Sequence, residues 1–127
     1  MRGSVQPFER MAGSRPGADE ADEYRAFAFG RVGIRPQMTL VVRRSTGEFE
    51  GFAYAEFSGI SGINEDNGFV VRFGPRLVAI EGKNLKRLFG YVCNFRAAEI
   101  LEASGSAALK IPEDEPVVWN ASWTKLV

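Results

Sequence analysis

The chain has 127 residues, 45% hydrophobic, with ten Phe, three Tyr and two Trp; this suits a single domain with a full core. Sixteen Lys and Arg balance sixteen Asp and Glu, so no overall field draws the chain to nucleic acid or to an anionic membrane. Histidine is absent and Cys93 is the one cysteine, which removes the usual proton shuttle, the commonest metal ligand and any intrachain disulfide.

Residues 1–23 are rich in Gly, Pro, Ser and charge and carry almost no apolar periodicity. They read as a disordered or loosely attached tail, too polar to offset the entropy of ordering. Pro7, Glu9 and Arg10 interrupt any secretory h-region, and no apolar run is long enough to span a bilayer. With a single cysteine, this places the expected location in the cytoplasm, without membrane contact. The globular domain is expected to occupy residues 24–127.

Between Tyr24 and Ile34 three aromatic residues alternate with small ones, so a short strand fits, and one helical turn from Ala21 fits nearly as well. Met38–Arg44 is apolar and β-branched and reads as a strand. Ser45–Glu48 then turns the chain, and residues 49–57 return as a partner strand. Phe49, Ala53, Ala55 and Phe57 fall on one face of that strand, Phe52 and Tyr54 on the other. Ser58–Gly68 reads as a connection. Its spacing fails as a calcium loop, because Ile63 falls on a ligand position, and no Lys-Ser/Thr follows to make a phosphate cradle.

Residues 67–95 are the most patterned part of the chain. Phe69, Val71 and Phe73 alternate with Val70 and Arg72, Gly74-Pro75 supplies a turn, and Val78 and Ile80 alternate with Leu77, Ala79 and Glu81. A hairpin follows from this, and then an amphipathic helix over 84–93 whose stripe is Leu85, Leu88, Phe89 and Val92, with Asn84 as its N-cap. Cys93, next to that stripe, reads as a small buried residue. Residues 96–104 suit a new strand or a broken helix, Gly105–Pro116 a loop, and Val117–Leu126 a last strand with Val117, Trp119, Ala121 and Trp123 on one face.

The expected fold is therefore α+β: a small, strongly curved or barrel-like, mostly antiparallel sheet of four to six strands with one main helix. No catalytic residue, metal ligand or cofactor is nominated, because no histidine-based set exists and Glu81 is the one carboxylate set beside apolar strand residues. Two surfaces remain as candidates. Large side chains on both faces of a strand leave apolar area to cover, so Phe52, Tyr54, Trp119 and Trp123 are assigned to an interaction surface, with a homodimer as the economical partner and another protein as the general one. Arg72, Lys83, Lys86 and Arg87 form the alternative, a basic set for single-stranded nucleic acid. The leading expectation is a non-catalytic association domain; the less favoured alternatives are nucleic-acid binding and a small-ligand or carboxylate-based site at Glu81.

Overall fold

The computed structural model describes residues 30–126 and the backbone of Asp22–Glu23. The patterned stretch forms as its periodicity demands. Strands β6 (Gly68–Phe73) and β7 (Arg76–Lys83) pair antiparallel, with Phe69 opposite Ile80 and Val71 opposite Val78. Phe69, Val71, Phe73, Val78 and Ile80 are all buried on one face, while Val70 and Arg72 lie exposed on the other. Gly74 makes the turn with φ 57, a left-handed conformation that costs glycine little. Helix α1 (Lys86–Cys93) follows and buries Leu88 and Val92, with Leu85 just ahead of it, against the same core.

The start of α1 departs from expectation. Asn84 does not cap it. At φ 57, its amide is turned away and donates to the carbonyl oxygens of Glu113 and Glu115, each at 3.0 Å. The cap comes from twenty residues upstream: the Asp66 carboxylate accepts the Lys86 N–H at 3.2 Å, and the Asp66 carbonyl accepts the Leu85 N–H at 3.1 Å. An acidic group at a helix N-terminus satisfies an orphan donor and favours the local dipole.

The remaining strands complete two sheets. β1 (Asp22–Glu23), β2 (Gly30–Gly33), β3 (Thr39–Arg43), β4 (Phe49–Ala53) and β8 (Ala97–Leu101) form one, in the order β1-β2-β8-β3-β4. β5 (Phe57–Ser61), β6, β7 and β9 (Val117–Lys125) form the other, in that order. All pairings are antiparallel except β3 with β8. The fold is α+β with mainly antiparallel sheets, but neither sheet closes into a barrel among the described residues. A second helix of one turn, α2 (Gly105–Ala108), interrupts the expected loop, with the Ser104 hydroxyl accepting the Ala107 N–H at its start. Residues 96–104 supply β8, so the new strand and not a helix forms there. Asp22–Glu23 is extended, which leaves no helical turn at that point; the expectations for residues 1–21 and 24–29 lie outside the described residues.

Residues 49–57 are not one strand. A 3-10 turn at Tyr54–Glu56 breaks them into β4 of the first sheet and β5 of the second. Phe52 is 0% exposed and Tyr54 4%, so both belong to the core. Phe52 packs 5.3 Å from Phe73 across the two sheets, Tyr54 stacks on Phe95 at 4.7 Å, and the Tyr54 hydroxyl donates to the Ala97 carbonyl at 2.7 Å. Large groups fell on both sides of the pattern because the chain changes sheet there, with the core on its inner side both before and after the turn.

Candidate interaction surfaces

Placement in the core removes Phe52 and Tyr54 from any contact surface. Burial pushes the Tyr54 phenol well above its ordinary pKa, with nearby Cys93 adding to the effect. The tryptophans divide. A bulge opposite Glu81 and Gly82 shifts the β9 register, so Val117 and Val118 are both buried and Trp119 is turned outward. Gly82 is required at this point because a Cβ there would run into the Val117 carbonyl. Trp119 ends 51% exposed, whereas Trp123 packs edge-to-face on Phe52 with centroids 6.1 Å apart. The expected common face of Val117, Trp119, Ala121 and Trp123 is undone by that one extra residue.

The basic set does not converge. Arg72 lies opposite Leu77 near the β6–β7 turn, and Lys83 sits six residues farther along β7. At roughly 3.3 Å per residue that is about 20 Å. The Lys83 ammonium is already engaged, donating to the carbonyl oxygens of Pro112 and Glu113 at 3.2 Å. Lys86 and Arg87 are exposed on α1. Asp66 sits at the helix start beside Lys86, and the acidic 113–115 loop is held against Lys83 and Asn84. Local charge is therefore mixed. Glu81 is exposed and accepts from the Asn120 amide at 2.9 Å. No group of three or more Cys, Asp or Glu among the described residues is placed to hold a metal ion.

Cys93 is exposed, not buried. It lies one residue past Val92, about 100° around the helix, which takes it off the apolar stripe. The part of it that is shielded by the chain raises the thiol pKa, the opposite direction from an activated thiol.

Sequence reasoning missed two features. The first is a groove of about 230 Å³ where β5 ends, the 62–67 loop turns and α1 begins. Ile60 and Ser61 of β5, Gly62, Ile63 and Glu65 of the loop, Gly68 and Phe69 of β6, and Phe89 of α1 line it. Phe69 and Phe89 meet edge-to-face with centroids 5.8 Å apart, and Ile63 is fully exposed beside them. The second is Glu102, just past β8, whose carboxylate accepts the backbone N–H groups of Ser45 and Ala121 at 2.8 Å each. Partial burial opposes its charge, but those two bonds and the charge of Arg44 outweigh it and hold the carboxyl below its usual range. Nothing local in the sequence marks either feature, since each depends on segments far apart in the chain.

No family model, curated protein or solved structure matches the chain.

Proposed function

We propose that this domain works by non-catalytic protein association, and that its simplest partner is a second copy joined along the outer edge of β9. The observation that carries this reading is the exposed Trp119 indole on an edge strand. From Trp123 to Lys125 that strand has no hydrogen-bonded neighbour on its outer side among the described residues. Aromatic residues supply much of the energy of protein contacts, and unpaired edges accept a further strand. A chain with balanced charge also meets little electrostatic resistance to self-pairing. Absence of histidine and of a described metal cluster is consistent with a binding role without requiring one.

Sedimentation equilibrium of the full chain tests the proposal. A monomer–dimer equilibrium that Trp119→Ser moves toward monomer is expected. A clean monomer mass at high-micromolar protein overturns self-association.

A further inference from the structure

Two hydrogen bonds fix which backbone groups of β9 point away from the sheet. The Leu126 N–H donates to the Pro75 carbonyl on the β7 side, and the Ala121 N–H donates outward to the Glu102 carboxylate. Backbone groups alternate in direction along a strand, so Trp123 and Lys125 turn their N–H and C=O outward as Ala121 does. Up to Ala121 this edge is occupied, because the Ala103 N–H takes the Val118 carbonyl and Glu102 takes the Ala121 N–H at 2.8 Å. Beyond it, the outward groups of Trp123 and Lys125 meet no neighbouring strand among the described residues.

Two copies related by a two-fold axis pair antiparallel, and an axis within Trp123–Lys125 can stand at three places. At Trp123, the Ala121 N–H would have to serve the partner's Lys125, and Glu102 already holds it. At Lys125, two like charges would stand directly opposite each other, which is destabilising. An axis at Thr124 meets neither obstacle. Trp123 then faces the partner's Lys125, and Lys125 the partner's Trp123, with both backbone bonds exchanged at each pair. Directly opposite side chains share a face, so each exposed Lys125 lays its apolar stem over the half-buried indole across from it. The partner's Leu126, exposed like Trp119, comes to face Ser122, three residues or about 10 Å along the strand from Trp119.

We propose that a second copy pairs with β9 antiparallel about a two-fold axis at Thr124, and that Glu102 sets this register by keeping the Ala121 N–H from the partner. This deepens the self-association reading and rests on it. The tied stretch from Val118 to Ala121 stays outside the exchanged bonds in both copies, so pairing leaves the Glu102 contact intact.

Cysteine cross-linking of the full chain tests the register, with Cys93→Ser in every variant to remove the exposed native thiol. Thr124 meets its own copy across the axis at a non-hydrogen-bonded position, where Cα atoms stand about 4.5 Å apart, a span that a disulfide bridges. The two Ser122 positions would stand more than about 13 Å apart, which a disulfide cannot bridge. Under mild oxidation Thr124→Cys is expected to run as a disulfide dimer on a non-reducing gel, and Ser122→Cys as a monomer. Glu102→Ala frees the Ala121 N–H and allows a further exchanged pair, which moves the axis to Trp123. Mixed Ser122→Cys and Thr124→Cys chains should then cross-link to each other, and should not do so with Glu102 in place. Glu102→Gln reads the same shift more weakly where the alanine variant does not fold. Cross-links at Thr124 and Ser122 alike, or none at Thr124 in a chain that sediments as a dimer, overturn the register alone. A cross-linking pattern unmoved by either Glu102 variant overturns the role of Glu102. A monomer mass for the Cys93→Ser chain under reducing conditions overturns the self-association reading itself, and the register with it.

Discussion

The two edges of the four-stranded sheet are treated differently. Along β9 the first half is tied down: the Ala103 N–H donates to the Val118 carbonyl at 2.8 Å, and Glu102 takes the Ala121 N–H. The bulge at Trp119 bends the same stretch. These are the ways natural sheets blunt an edge, by a covering segment, an inward-turned charge and a bulge. Along β5 the chain has a bulge at its start, between Phe57 and Gly59, and at its far end no such cover among the described residues. There the strand runs into a loop that is exposed from Ser61 to Asn67 and opens beside the Phe69–Phe89 pair. The tied half of β9 serves stability, whereas Trp123–Lys125 of the same strand and the far end of β5 carry no such tie among the described residues, and substitutions at tied and open stretches should separate these roles.

The largest effect is expected in the core beneath α1. Leu88 is 3% exposed in the middle of the α1 stripe, and Leu88→Ala should cost about 2–5 kcal/mol, since the cavity cannot close fully between a helix and a sheet. Urea denaturation measures it. An unchanged midpoint would mean that α1 does not brace the hairpin, and the groove would lose its fixed wall.

At the tied edge, Glu102→Gln should cost about 1 kcal/mol near neutral pH, because an amide offers a single acceptor oxygen to two backbone donors. The pH dependence gives a second handle. The carboxyl is held below its usual range in the folded chain, so its contribution is complete above the unfolded value and is lost as pH falls through the folded one. Wild-type urea midpoints should drop on acidification from neutral to about pH 3, more steeply than those of Glu102→Gln. Parallel curves would show that Glu102 does not hold β9 to the β3–β4 turn.

Legibility follows the same physical divide. The β6–β7 hairpin and α1 were readable because their decisive contacts lie within a few residues, and period 2 or 3.6 records them. The break at Tyr54 was not readable. The extended pattern runs unbroken from Phe49 to Phe57 with large side chains on both faces, and only the neighbouring strands decide that Phe52 faces a sheet while Tyr54 turns the corner. Trp119 misleads for a related reason: a bulge set by Gly82, far off in β7, reverses the parity of β9. Asn84 looked like a cap because it precedes the helix, yet Asp66 reaches that position through the fold. The groove joins residues from β5, a loop, β6 and α1, and no window of sequence contains it.

The smallest expected effect on stability is also the sharpest test of the open edge. Ile63 is fully exposed, and its side chain is left in water by the described chain. Ile63→Ser should therefore change the urea midpoint by less than about 0.5 kcal/mol, the ordinary range for a surface position away from caps and cores. An unmoved midpoint shows that the Ile63 side chain does not support the fold. A midpoint that falls by more than about 1 kcal/mol would place Ile63 among the supports of the 62–67 loop, and the contrast between the tied and the open edge would lose its plainest witness.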